Sequence, residues 1–179
     1  MPKTNPLIRP SEARDLPAIT AIYAHNVQFG TASFETEPPS LPEMIRRRAD
    51  ILAKGQPYLV AEAAGEILGY AYAGTYRPRP AYRDTVENSI YVRPDLMGRG
   101  IGKLLLPALI QECEARDYRQ IVAVVGDSAN LASIRLHQRC GFRLVGTFEA
   151  VGYKFGCWLD SVLLQRSLGR GSDAPPAIR

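Results

Sequence analysis

The chain has 179 residues, 46% of them hydrophobic and 22% charged, enough for one well-formed core and too few for two comfortable domains. No apolar stretch approaches the roughly 20 residues of a membrane-spanning helix, and the opening MPKTNPLIRP lacks a signal-peptide core, so a soluble cytoplasmic protein with no membrane partner is expected. A net charge of +4 permits an anionic ligand but argues against a nucleic-acid partner, because the arginines at 46–48 and along 77–83 lack the interleaved aromatics of a stacking platform.

Residues 7–9 form a short strand candidate. Ser11 and the acidic residues after it open an apolar-periodic stretch, Leu16, Ile19, Ile22, Tyr23 and Val27, which predicts an amphipathic helix. The loop FGTASFETEPPS is rich in aromatic residues and proline, a composition that suits the lip of a site better than a core. A second helix is predicted over 41–54, stopped by Gly55 and Pro57. Strand material follows: YLVAEAA, a hairpin turn at Gly65 and Glu66, ILGYAYAGTY, and, after a proline-arginine loop, TVENSIYV. A helix runs from Ile101 to about Arg116, and IVAVVG has the look of a strand buried on both faces. Residues 130–139 form a helix closed by Gly141, and FRLVGTFEAVGY and WLDSVLLQRSL pair antiparallel. The polar, proline-rich GRGSDAPPAIR is expected to be disordered. This order predicts an α/β fold: one mixed central sheet flanked by about four helices. A single domain is expected over 7–168, with flexible termini at 1–6 and 169–179.

Cys113, Cys140 and Cys157 are an odd number at no metal-like spacing, and only two histidines exist to complete a site. They are read as reduced packing residues, with no metal expected. His25, on the first helix, is read as structural.

The stretch VRPDLMGRGIGKLL, residues 92–105, places Gly98, Gly100 and Gly102 at alternating positions with Arg99 and Lys103 among them. It is not a P-loop, since Lys103 is followed by Leu104 and no glycine stands at 97. The dinucleotide pattern G-x-G-x-x-G also fails, because its last position falls on Lys103 or Leu105. A strand, a turn and a helix N-terminus do fit, and such a terminus favours a phosphate or pyrophosphate.

A second motif, NLASIRLHQRCGF, covers residues 130–142. Its Asn130, Ser133, Leu136, His137, Gly141 and Phe142 fall at the spacing of the closing motif of the GNAT superfamily of N-acetyltransferases. The glycine stretch resembles that superfamily's acetyl-CoA pyrophosphate loop, Q/R-x-x-G-x-G/A, and one helix and one strand separate the two motifs as the family requires. The resemblance spans roughly residues 7 to 168. Within it, SFETEP (33–38), AYAGTYRPRPAY (71–82), TVENSIYV (85–92) and VGYKFGCWLD (151–160) are similar to the phosphinothricin and methionine sulfoximine acetyltransferases. One departure is plain: Met97 occupies the Q/R position, so any loss is one outer hydrogen bond that Arg99 could replace.

The resemblance implies a GNAT fold and acetyl-CoA as co-substrate. Its pyrophosphate would meet the backbone from Gly98 through Arg99, Gly100, Ile101 and Gly102 to Lys103, with Asn130 and Ser133 also on the cofactor side. Its pantetheine would lie as a pseudo-strand along Ile90, Tyr91 and Val92, where a main-chain N–H would polarise the thioester carbonyl. Transfer needs a free amine, and with an α-amino pKa of about 8 only about a tenth is free at pH 7. Glu87 matches the carboxylate assigned as base in the resembling enzymes. His137 stands where most of the superfamily has a tyrosine, and it is read as a general acid for the leaving thiolate or as a second base.

The implied substrate also carries a carboxylate. Arg77, Arg79 and Arg83 cluster before Glu87, and a guanidinium fork suits bidentate carboxylate binding. Arg79, Tyr82 and Phe34 are the positions that the resemblance marks as substrate contacts. The expected reaction is direct attack in a ternary complex on the α-amino group of a small amino acid analogue, by an enzyme that resembles homodimers. Acetylation of a protein N-terminus or a polyamine, or CoA binding without turnover, are the alternatives.

Overall fold

The computed structural model describes residues 6–176; the outer ends of the expected flexible termini, 1–5 and 177–179, lie outside the described residues. The elements follow the expected order. They are β1 (Leu7–Pro10), α1 (Leu16–Phe29), α2 (Leu41–Ala53), β2 (Tyr58–Ala63), β3 (Glu66–Thr75), β4 (Thr85–Val92), α3 (Ile101–Ala115), β5 (Gln120–Gly126), α4 (Leu131–Arg139), β6 (Arg143–Lys154) and β7 (Cys157–Ser167). The strands form one sheet in the order β1-β2-β3-β4-β5-β7-β6. Its pairings are antiparallel except β4 with β5, which run parallel because α3 provides the crossover between them.

Side-chain alternation on β2 builds both cores. Tyr58 and Val60 point to the face covered by α1 and α2, among Ile19, Ile22, Val27 and Met44. Leu59 and Ala61 point the other way, among Leu105, Leu106, Leu109 and Cys113 of α3. The strands buried on both faces are therefore β2 and its neighbour β3, whose Leu68 and Ala71 join the α3 core while Ile67 and Tyr70 join the other. IVAVVG departs from that expectation: Ile121, Ala123 and Val125 enter the α3 core, but Val124 is 40% exposed. The apolar run reflects a cavity wall on the second face, not a second helical layer.

Ser11 does not cap α1 directly. A 3-10 turn, Ala13–Asp15, precedes the helix and is closed by a reciprocal Glu12 and Asp15 capping box. Arg9 reaches both oxygens of Asp15 at 2.8 Å and donates from Nε to Glu62 at 2.7 Å, tying β1, the start of α1 and β2 together. Ser40 caps α2 by accepting from the N–H of Glu43, with proline early in the helix. Residues 169–176 differ from the loose tail that their composition predicts. Buried Arg119 donates to the carbonyls of Gly171 and Ala174, and this cation satisfied by main-chain oxygens holds the segment against the sheet end.

Candidate active site

The site forms where the sheet opens. The parallel ladder runs from Thr85↔Gln120 to Asn88↔Ala123 and stops. Beyond it, residues 89–92 of β4 pair only with β3, and residues 124–126 of β5 pair only with β7. At the point of divergence the Asn88 side chain donates from Nδ2 to the carbonyl of Val122 at 3.0 Å. The main chain of 89–92 is thus a strand edge inside the molecule, suited to an extended ligand that adds as a further strand.

Two cavities meet along that edge. One, of about 440 Å³, is lined by Phe34, Glu35, Glu87, Asn88, Val124 and His137 among others. The second, of about 390 Å³, is lined by Val92, Gly98, Gly100, Ile101, Gly102 and Lys103 among others. Ile90, Tyr91, Asn130 and Ser133 belong to both, so a ligand along β4 passes from one to the other.

The glycines divide the work of the second cavity. The chain leaves β4 through a 3-10 turn, Pro94–Leu96, and must then bend sharply into α3. Gly98 and Gly100 make that bend with φ of +77° and +88°, the left-handed region that a side chain disfavours. Gly100 is the N-cap of α3 and supplies no side-chain cap; the Lys103 N–H turns back to the Gly100 carbonyl at 2.9 Å, which leaves the N–H groups of Ile101 and Gly102 for a ligand. Gly102 has a different duty: a Cβ there would lie 2.9 Å from Leu136, so it allows α3 to approach α4. Met97 is exposed at the mouth. Arg99 is not among the lining residues; Arg135 and Arg139 stand there instead. Their i, i+4 spacing within NLASIRLHQRC was the signal that sequence reasoning passed over.

Asn130 caps α4, its Oδ1 accepting from the N–H of Ser133 at 3.2 Å, and so both residues are held at the junction of the cavities. His137, one turn further on, is only 2% exposed. Its Nδ1 lies 2.8 Å from the Ser133 carbonyl and its Nε2 lies 3.0 Å from Asn88 Oδ1. A neutral ring has one N–H to donate, and burial holds the ring below the ordinary imidazole pKa, so this environment asks for a proton that burial makes costly. Asn88, which orients His137, was not singled out in the sequence.

Glu87 lines the first cavity, opposite Gly74 of β3 and Val122 of β5. Burial raises its carboxyl above the usual range, with the charge of Arg77 opposing that rise. A carboxylate with raised proton affinity in a cavity is fitted to accept a proton from an amine. The expected arginine clamp is looser. Arg77 stacks over Tyr76 at 5.2 Å, Tyr82 meets the same ring edge-on, and Arg83 pairs with Asp84. None of Arg77, Arg79, Tyr82 and Arg83 lines the Glu87 cavity; all stand on the loop leading into β4. Phe34 does line it, as does its neighbour Glu35, which accepts from Tyr23 Oη at 2.8 Å and Arg47 Nη1 at 2.6 Å. Glu35 lies within the loop read as a site lip, but nothing in its spacing marked it.

A strand edge suited to an extended thioester, an uncapped glycine-rich helix start and a half-buried carboxylate together fit an acyl-transfer enzyme. The chain belongs to the acetyltransferase (GNAT) family, whose pattern matches residues 19–142, and is an acetyl-CoA-dependent N-acetyltransferase. It is similar to the phosphinothricin N-acetyltransferase of Alcaligenes faecalis, with 56% identity over 90% of this chain and 82% of that protein. It is 43% identical to an L-methionine sulfoximine/L-methionine sulfone acetyltransferase of Pseudomonas aeruginosa, over 94% of this chain and 98% of that one. A crystal structure of a Sinorhizobium meliloti phosphinothricin acetyltransferase in complex with acetyl-CoA superposes with a TM-score of 0.93. The two share 44% identity, over 96% of this chain and 93% of that chain.

Proposed function

We propose that this enzyme acetylates the α-amino group of small amino acid analogues, of the phosphinothricin, methionine sulfoximine and methionine sulfone class, by direct attack of the amine on acetyl-CoA. The observation that carries the reading is the junction of the two cavities at Ile90 and Tyr91, with Glu87 on one side and the glycine turn on the other. The relatives' substrates supply the choice of amine. A host making such an enzyme would resist the phosphinothricin herbicide.

In this mechanism the pyrophosphate rests on the backbone of Gly98 to Lys103 at the start of α3. The pantetheine follows residues 90–92, whose main chain polarises the thioester carbonyl. Glu87 takes the proton from the amine, and His137, in its protonated form, gives its proton to the departing thiolate and returns to neutral imidazole; the Asn88 and Ser133 oxygens offset part of the cost of the buried charge. Phe34 covers the apolar part of the substrate, while Arg77, Arg79, Tyr82 and Arg83 draw in its carboxylate from the loop before β4. No acyl-enzyme is needed, and none of Cys113, Cys140 and Cys157 lines the Glu87 cavity. The catalytic domain spans residues 7–168, acts in the cytoplasm and pairs as a homodimer. A panel of amino acid analogues, with a polyamine and an N-terminal peptide, tests the reading by free-thiol release. Turnover of the amino acid analogues is expected. Preference for the peptide or polyamine, or no thiol release, would replace it.

A further inference from the structure

The segment VGYKFGCWLD contains a buried cation that the reaction does not use. Lys154, at the end of β6, is 5% exposed, and its Nζ donates to the Gly30 carbonyl at 2.9 Å and to the Ser33 carbonyl at 2.7 Å. Both acceptors lie in the turn after α1, more than a hundred residues away in the chain. The residues of that turn, Ala32, Ser33, Phe34 and Glu35, form one wall of the cavity that holds Glu87 and His137.

The same strand makes room for that wall. A Cβ on Gly152, two residues before Lys154, would stand 2.4 Å from the Phe34 ring. A Cβ on Gly126, at the end of β5, would stand 2.4 Å from the Thr31 carbonyl and 3.0 Å from Phe34. On its other side the turn is tied to α1, where the Tyr23 and Ser33 hydroxyls lie 3.0 Å apart. The turn carries no regular structure of its own, so its position is set by these side-chain bonds together with those of Glu35 to Tyr23 and Arg47. Charge-assisted bonds to main-chain carbonyls are among the stronger ties available, and removing the donor orphans two buried acceptors.

We propose that Lys154 is a positioning residue for the amine side of the site: it clamps the 30–33 turn to β6, seats Phe34 against Gly152, and so sets affinity for the amine substrate without touching the acetyl-CoA half. The identity of the cavity as the amine site rests on the function proposed above, while the clamp itself does not.

Steady-state kinetics of Lys154→Met and Gly152→Ala test it, with hydrogen exchange of the intact proteins alongside. Lys154→Met removes the donor at similar length, and Gly152→Ala displaces the ring without altering any charge. Each should raise the amine KM by about tenfold or more, with the acetyl-CoA KM unchanged, and speed exchange across 30–35 but not across 98–106. If Lys154→Met does not fold, Gly152→Ala decides on the same readouts. An amine KM at the wild-type value, or an acetyl-CoA KM rising in step with it, overturns the proposal. If the unsubstituted enzyme acetylates no amino acid analogue, the substrate reading fails and exchange alone decides. Faster exchange confined to 30–35 then upholds the clamp, and unchanged exchange rejects it.

Discussion

Glu87 combines two demands that pull against each other. In the proposed role as base it must be ionised, yet burial raises its pKa and so penalises the charged form in the folded state. Replacing it with glutamine keeps the size and one acceptor but removes the basic lone pair. Glu87→Gln should lower kcat by about 10²–10⁴-fold with little change in acetyl-CoA affinity, part of which should return at high pH as free amine accumulates. The same substitution should make the protein more stable at neutral pH. A group whose folded pKa is raised favours the folded state while protonated and loses that contribution as pH climbs through the folded value. Melting curves of Glu87→Gln and wild type should therefore separate at pH 7 and converge near and below pH ~4, the ordinary carboxylate value. His137→Ala is the companion measurement: a dead His137→Ala beside a nearly wild-type Glu87→Gln would reverse the two roles.

Two short turns fix how α3 and α1 leave the strands before them. The turn from β4 into α3 depends on Gly100, whose φ of +88° a β-branched residue adopts only under strain. Around a Cβ at Gly100 there is open space, so the penalty of Gly100→Val comes from the backbone and from blocked approach of the pyrophosphate, not from a clash within the fold. The acetyl-CoA KM should rise strongly while the circular dichroism spectrum is retained; an unchanged KM in a folded variant would reduce the stretch to a plain turn. The turn into α1 depends on Asp15. Its burial alone would raise its pKa, but the bonds from Arg9 and from the Glu12 N–H outweigh this and hold it below the usual carboxylate value. Its contribution is therefore present above the unfolded pKa of about 3.9 and fades as pH falls through the lowered folded value. Asp15→Ala should cost about 3 kcal/mol in urea unfolding at pH 7, with the deficit shrinking in acid.

At the scale of the whole molecule, β6 is one of the two edge strands of the sheet and is unusually apolar for an edge. Leu144, Val145, Phe148, Val151 and Tyr153, with Phe155 and Trp158 beside them, are all exposed. A long edge strand with that surface invites pairing, and a second copy of the chain would cover it. Sedimentation at micromolar concentration should give about twice the 19.7 kDa chain mass. A charged residue in place of Trp158 should return the protein to a monomer; a clean monomer of the unsubstituted chain would remove the homodimer from the proposed function.

The sequence by itself determined the parts written in local spacing. Period-2 and period-3.6 apolar patterns gave the helix and strand order, and Gly98, Gly100, Asn130 and Ser133 marked the backbone specialities of the second cavity, because φ above zero and helix capping are properties of a few adjacent residues. Tertiary structure decided what adjacency cannot encode. Val124 is apolar for a cavity, not for a core, because the β4–β5 ladder ends at Ala123. Arg135 and Arg139 line the second cavity because both stand on the face of α4 turned toward it. Asn88, Glu35 and Lys154 matter through partners 12 to 124 positions away. Those pairings exist only once the sheet brings distant strands and loops within hydrogen-bond reach, and no local pattern announces them.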